Sequence, residues 1–409
     1  RDSSTSRGLG DVYKRQIAIY QLVKPKMKGK YYKLKESLSF CIFIQIGMLP
    51  LIIYFQYEAP AFSFLANVAA VPLATCAFTL AFLLIFLPYT VFHEAISWMI
   101  QGVLWISRQS YGMLTIGHVP FLWVFLFYFM TGLWIWKKNG QNRHIRISLA
   151  YVIMIILIWI PMARRKSLAF LDVGQGDCFV ADTKSGAIIF DGGSSSEDQV
   201  GRYRILPYMK YLGYQKIQIA VISHMDIDHY SGIKELLEMG KIKYLGLPEI
   251  PKDDTMKKII GIAKKRGTTI FYLSRGRQIT TKDGSLKVLH PQKNSQMEKN
   301  AASLVMQGKI FGYRVLLTGD VEKEGEEELL SEELERADIL KAAHHGSKNS
   351  TSNEFLQKVQ PKQTVISCGK QNRYGHPHLE TIHRLQTYHT KIYRTDRSGA
   401  IIFFKRRDG

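Results

Sequence analysis

The stretch SHMDIDHYSG, residues 223–232, sets His224, Asp226, Asp228 and His229 within six positions, directly after the apolar run IQIAVI. Imidazoles and carboxylates at that density suit divalent cations better than a satisfied structural cluster. A strand ending at His224 would mount them on a loop, with Gly232 freeing the chain to turn, and such strand ends are common seats of chemistry. Side chains one residue apart on extended backbone share a face, while Asp228 and His229 point differently, so one loop can serve two cations. Two later stretches repeat the pattern of an apolar strand ending in a ligand. YRVLLTGDVE closes on Asp320, a carboxylate suited to bridging, and ADILKAAHHGSKNST reaches His344 and His345. The chemistry such a set supports is hydrolysis by cation-activated water, with no covalent protein intermediate.

These ligands need a water-soluble frame, and from Ser167 onward the chain alternates strand-like and helix-like segments. SLAFLDVGQGDCFVAD and GAIIFDGG read as antiparallel strands, RILPYMKYLGY and GIKELLEMG as helices. VEKEGEEELLSEELERADIL reads as a strongly charged helix whose acids form a solvated face. GSKNST (Gly346 to Thr351) and GKQNRYGHPH offer hydroxyls, amides and cations, among them Ser347, Asn349, Lys370, Asn372, Arg373 and His378, that could hold phosphate oxygens.

Before that frame the composition changes. Five segments, 38–56, 61–88, 93–109, 119–136 and 146–161, approach the roughly 20 apolar residues of a membrane helix, though 93–109, with Glu94 and Gln101, reads equally as a surface helix. Asn67 and Pro72, inside the second segment, mark either a kinked packing contact or a polar path. The basic stretches KPKMKGKYYKLK and KKNGQNRHIR belong on the cytoplasmic side. Five spans then put the C-terminal half on the outer face, and four put it inside. Residues 1–16 carry no periodicity and read as a scar or disordered leader, leaving 17–162 as a transmembrane helical domain and 163–409 as a hydrolase domain.

The formal net charge is +21, with 15 Lys and Arg against 5 Asp and Glu before Arg164 and 40 against 29 from it onward. A basic soluble half favours polyanions, either nucleic acid or an anionic lipid surface. The cysteines Cys41, Cys76, Cys178 and Cys368 form neither a disulfide framework nor a zinc knuckle. No GxxxxGK[ST] loop occurs, so energy for transport would come from a separate motor.

HxDxDH followed by TGD and HHGS resembles the metallo-β-lactamase fold, in the variant at the C-terminus of the ComEC family of competence DNA-uptake membrane proteins. FLDVGQGDC, IIFDGG, NAASLV, NRYGHPH and LANVAAVP resemble the same family. The resemblance implies an α-helical transmembrane bundle followed by an α+β domain, an αββα sandwich. It implies that His224 and Asp226 face one cation and Asp228 and His229 the other. Asp320 would bridge them and His345 would complete the second site, with His344 as its alternative. Asp191 would orient a ligating histidine, and Asp228 and His376 would serve the reaction, His376 near the scissile phosphate. Asp226 replaces the second histidine of the wider HxHxDH motif, and His290 is the upstream candidate for the remaining histidine of the fold. That exchange shifts preference from zinc toward manganese or magnesium, with one or two ions bound. The implied function is passage of single-stranded DNA through the cytoplasmic (inner) membrane by a multi-pass protein with an attached metal-dependent DNase. Its partners would be the lipid bilayer, a DNA receptor and a cytoplasmic motor. Two alternatives are a membrane-anchored hydrolase of another phosphodiester or ester, and an inactive domain that only grips DNA.

Overall fold

The computed structural model describes residues 29–86, 90–107, 112–136, 166–297, 300–332 and 334–406. The chain divides into two compact units, Arg1–Met162 and Ala163–Gly409. The candidate segment 146–161 and the leader 1–16 lie outside the described residues.

In the first unit, α1 (Tyr32–Gln56) leads into β1 (Glu58–Pro60), then α2 (Ser63–Leu83) and α3 (Thr90–Ser107) lead into β2 (Met113–Thr115) and α4 (Phe121–Trp136). The two short strands pair antiparallel, Glu58 opposite Thr115. The Cβ position of Gly102 on α3 lies 3.5 Å from Leu73 of α2, so the pair forms a hairpin that leaves the ribbon and returns to it. Helices α1 and α4 run antiparallel, with the Tyr54 and Phe121 rings 5.9 Å apart and the Tyr128 hydroxyl donating to Gly47 O at 2.7 Å. Ile53, Ala59, Val119 and Phe127 form the small core under the ribbon, and Gln45 Nε2 donates to Pro60 O at 2.8 Å. Tyr32 and Trp136 therefore mark the end opposite the ribbon.

Of the expected spans, Lys35–Gln56 and Leu65–Leu83 are long and apolar enough to cross a membrane, and Phe121–Leu133 is a shorter apolar helix. Helix α3 is the hairpin partner of α2, with Trp98 and Trp105 exposed. Pro72 sits inside α2, and Asn67 is exposed on it.

The second unit is built from alternation. On β3 (Ser167–Phe170), Leu168 and Phe170 face one way and Ala169 the other, and all are buried, because this sheet is covered on both faces. The first sheet runs β16 (Ile401–Phe404), β3, β4 (Phe179–Thr183), β5 (Gly186–Phe190), β6 (Ile217–Val221), β7 (Ile242–Pro248), β8 (Thr269–Leu273). The second runs β15 (Lys391–Arg394), β14 (Gln363–Ile366), β13 (Ile339–Lys341), β12 (Tyr313–Leu317), β11 (Val305–Ile310), β10 (Gly284–His290), β9 (Gln278–Thr281). Leu168, Phe170, Ile188 and Phe190 meet Met306, Val315, Leu317 and Val365 between the sheets. Outside the first sheet pack α5 (Leu206–Tyr211), α6 (Ile227–Glu238) and α7 (Asp254–Lys265), through Met209, Ile233, Leu236, Met256 and Ile259. Outside the second pack α8 (Lys323–Leu330), α9 (Asn353–Val359) and α10 (Leu379–Thr387), through Leu329, Phe355, Val359 and Leu385. The layers are thus αββα, with a hydrophobic core on each side of each sheet.

Three local expectations change. Strand β6 ends at Val221, and Asp226 immediately precedes α6, so Asp228 and His229 stand in the first helical turn rather than on a loop. Gly232 does not turn the chain; it lies within α6, where a Cβ would come within 2.6 Å of Gly192 O. The charged segment after Val321 shortens to α8, and its acids are not all solvated. Glu326 is 1% exposed and accepts the amides of Thr351 and Ser352, while Glu328 meets Arg275 and His290.

Candidate metal centre

The loops that follow β5, β6, β12, β13 and β14 converge at the C-terminal ends of parallel strands, where side chains project beyond the last ladder hydrogen bonds. Strand β5 delivers Asp191, β6 delivers His224 and then α6, β12 delivers Asp320, β13 delivers the histidine pair, and β14 leads toward His376. Close backbone approach locks these segments together. Asp177 N donates to Asp228 O at 3.0 Å and Gly192 N to His229 O at 2.8 Å. Side chains have no room there: a Cβ on Gly176 would stand 2.2 Å from Gly193 O. This accounts for the glycines of GQGD and FDGG.

The imidazoles are aimed by their Nδ1 atoms. His229 Nδ1 lies 3.0 Å from Asp191 Oδ2, His345 Nδ1 2.9 Å from Ser367 O, and His224 Nδ1 3.0 Å from Ser223 Oγ. Each leaves Nε2 for the site, the arrangement that fixes tautomer and ring angle in metal-binding histidines. His229 Nε2 is 3.2 Å from Asp320 Oδ2, and His345 Nε2 is 3.3 Å from both Asp228 Oδ2 and Asp320 Oδ2. His224 Nε2 is 3.6 Å from Asp226 Oδ2, and its ring centre is 4.1 Å from that of His229.

Of the histidine pair, His345 is the buried member, while His344 is partly exposed, with Nε2 at 3.8 Å from Asp320 Oδ2 and Nδ1 at 2.9 Å from Glu322 Oε1. Both residues adopt left-handed backbone, φ 47° and 54°, a conformation uncommon outside glycine and often found at functional sites.

The electrostatics follow from the crowding. Burial disfavours charge on His345, but Asp320, Asp177 and Asp228 outweigh it and hold its pKa at about 10. His229 is raised in the same way by Asp320 and Asp191. Burial would raise Asp228, yet His345 and His229 pull it down to about 2, and Asp320 is lowered well below the usual range against the same opposition. His376 goes the other way, to about 4, through burial and the positive charge of its neighbours His345, His344 and His378.

A divalent cation fits this donor set. The buried Nε2 atoms of His224, His229 and His345 make no hydrogen bond; those of His229 and His345 face carboxylate oxygens of Asp320 and Asp228, and that of His224 faces Asp226. Orphaned imidazole nitrogens facing crowded carboxylates are costly without a cation between them. A cavity of about 250 Å³ opens over the set, lined by Gln175, Ser195, Asp226, Ile227, Asp228, Asp320, His344, His345, Tyr374 and His376.

Several expected residues stand elsewhere. His290 faces other partners, with Nε2 2.6 Å from Ala301 O and Nδ1 2.9 Å from Glu328 Oε2. None of Ser347, Asn349, Lys370, Asn372, Arg373 and His378 lines the cavity. The Asn372 amide binds Gly369 O, His376 O and His376 N, which shapes the loop that presents His376. Arg373 lies against Tyr374, His378 Nδ1 accepts the Lys348 amide, and Asn349 borders a separate cavity beside Glu322 and Arg384. Lys370 is exposed.

Sequence reasoning passed over Asp177, Lys341, Gln175, Ser195, Ile227 and Tyr374. Asp177 sits in the GQGD motif, and its tight glycine setting was the available signal. Nothing local in ILKAAHHG marks Lys341, whose burial is decided by the opposite sheet.

The layered fold and this site define a member of the metallo-β-lactamase superfamily, whose family model, "Metallo-beta-lactamase superfamily", matches residues 171–370. A second model, "Competence protein", matches residues 17–141. The chain belongs to the ComEC family of competence proteins. It is 30% identical over 400 residues to ComE operon protein 3 of Bacillus subtilis, covering 89% of this chain and 51% of that protein. With competence protein ComA of Neisseria gonorrhoeae it shares 30% identity, over 58% of this chain and 32% of that one. The chain thus spans about half or less of the length of these relatives. Among solved structures, the metallo-β-lactamase fold protein YhfI of Bacillus subtilis aligns at 12% identity over 58% of this chain and 99% of its own, with a TM-score of 0.41.

Proposed function

We propose that the chain is part of a DNA-uptake protein. Its membrane unit, residues 17–162, contributes to a multi-span passage for single-stranded DNA in the cytoplasmic membrane. Its second unit, residues 163–409, is a metal-dependent phosphodiesterase that degrades DNA at the outer face. The observation that carries the hydrolase reading is the pair of unbonded Nε2 atoms of His229 and His345 gathered on Asp228 and Asp320, with the unbonded Nε2 of His224 beside Asp226. His229, His345, Asp228 and Asp320 would hold one cation, and His224 and Asp226 would contribute to a second. Manganese or zinc would serve, and magnesium is allowed by the carboxylate share. A cation bound there supplies Lewis acidity and an activated water for phosphodiester hydrolysis.

The chain's own residues divide the remaining work. Asp191, Ser223 and the Ser367 carbonyl keep the imidazoles aimed. His376, on the cavity wall and neutral at physiological pH, is placed to accept a hydrogen bond from water or a protonated phosphate oxygen. The excess of basic residues from Arg164 onward supports a polyanionic substrate held through its backbone, hence salt-sensitive and indifferent to sequence. The membership in a competence family and the relatives' names support DNA over another phosphodiester. A DNA receptor and a cytoplasmic motor would complete the machinery.

The test is cleavage of single-stranded DNA by the purified chain after chelation, with manganese, zinc or magnesium restored singly. Cleavage restored by one of these ions and lost in Asp320→Ala supports the reading. DNA binding without cleavage under every ion would leave only a gripping role and remove the nuclease.

A further inference from the structure

Behind the candidate ligand set lies a buried ion pair. Asp177 and Lys341 have side chains 7% and 5% exposed, and the ammonium touches Asp177 Oδ2. Lys341 Nζ also donates to Gly319 O at 2.9 Å and lies 3.4 Å from Asp320 Oδ1, so its three protons each face an oxygen. The two residues come from different sheets: Asp177 from the loop before β4, Lys341 from the end of β13. Asp177, His229, Asp320 and His345 offer donor atoms within 4.8 Å of one another, which by proximity makes Asp177 a fourth ligand. Orientation argues otherwise. The histidine nitrogens nearest Asp177 are both Nδ1, at 3.8 Å for His229 and 3.6 Å for His345. Those Nδ1 atoms already serve Asp191 and Ser367 O, and the Nε2 atoms of the same rings meet Asp228 and Asp320. Asp177 therefore stands at the backs of the rings that would hold the ion.

We propose that Asp177 is not a metal ligand, and that Asp177 and Lys341 form a charge-balanced pair that positions His229, His345 and Asp320 from behind. The pair gives Asp320 a fixed partner for Oδ1, so that Oδ2 alone is presented to the site. It also keeps the Asp177 carboxylate from competing for the two Nδ1 groups. Without the ammonium, an uncompensated buried carboxylate would draw those Nδ1 groups from Asp191 and Ser367 O and repel Asp320. This rests on the metal-site reading above, and the experiment keeps the two apart.

Manganese affinity of the full chain is measured by competition with a fluorescent chelator for the native protein, His345→Ala, Asp177→Asn, Lys341→Met and the Asp177→Asn/Lys341→Met double variant, with thermal melting of each. Native binding lost in His345→Ala establishes the metal site itself; equal binding by these two removes that site and this inference with it. Given that site, Lys341→Met is expected to bind manganese about 10- to 100-fold more weakly, the usual cost of disturbing groups that orient ligands. The double variant is expected to recover most of that loss. A Lys341→Met chain that does not fold, beside a double variant that folds and binds, gives the same answer, because an unpaired buried charge is what the second substitution removes. Unchanged affinity in a folded Lys341→Met, or a double variant no better than Asp177→Asn alone, overturns the proposal; the second result is the one a ligating Asp177 would give.

Discussion

Asp191 Oδ2 and His229 Nδ1 stand 3.0 Å apart, joining the end of β5 to the first turn of α6, and the other carboxylate oxygen accepts Ser223 N at 2.7 Å. One buried side chain thus fixes both the ring of a proposed ligand and the backbone that leads into His224. Replacing Asp191 with Asn keeps its shape but weakens its acceptor. We expect a 10- to 100-fold loss of metal affinity with the fold intact, measured by manganese titration and far-ultraviolet circular dichroism. Unaltered affinity would remove Asp191 from the orienting role.

The two adjacent histidines should separate in metal content. His345 is buried with Nε2 at 3.3 Å from two carboxylates, and His344 is farther out, with Nδ1 on Glu322. His345→Ala is expected to lose bound manganese after dialysis, by elemental analysis, while His344→Ala retains it and loses cleavage rate instead. The reverse pattern would assign the ligand to His344.

The β1–β2 ribbon makes a topological statement. Because Glu58 and Thr115 pair, α2 and α3 leave the ribbon and return to it, and Tyr32 and Trp136 stand at the end away from it. In a chain freed of its native cysteines, single cysteines at Ala61 and Gly117 should react with a membrane-impermeant maleimide from one side, and a cysteine at Phe86 from the other. Labelling of all three from one side would show that the 63–107 hairpin does not span.

Asp338 offers a pH dependence away from the candidate site. Its carboxylate accepts Arg314 N at 3.0 Å and Lys362 Nζ at 2.8 Å. Burial works to raise its pKa, but these partners and Arg406 hold it below the ordinary value. With the folded pKa depressed, its contribution is present above the unfolded value of about 3.9 and fades as pH falls through the folded one. Asp338→Asn should cost about 1–2 kcal/mol at pH 7, with the gap closing below about pH 4, by urea unfolding across that range. A gap that widens in acid would contradict the sign.

Local pattern made much of this protein legible. An apolar run followed by His, Asp or both announced where strands stop and the candidate site begins, because a parallel strand buried on both faces must be apolar throughout and can turn polar only beyond its end. The glycines of GQGD and FDGG, and the contrast between the long apolar runs and the later half, were equally visible, since each reflects a constraint on neighbouring residues. Tertiary structure decided what depends on distant residues meeting. Nothing in the sequence sets Lys341 apart until Asp177, from the other sheet, is placed against it. Glu326 reads as a solvated helix acid until the amides of Thr351 and Ser352 close on it, and His290 reads as a spare ligand until its nitrogens are seen to face Glu328 and Ala301. Charge in a buried site is set by what surrounds it in space, and spacing along the chain carries no record of that.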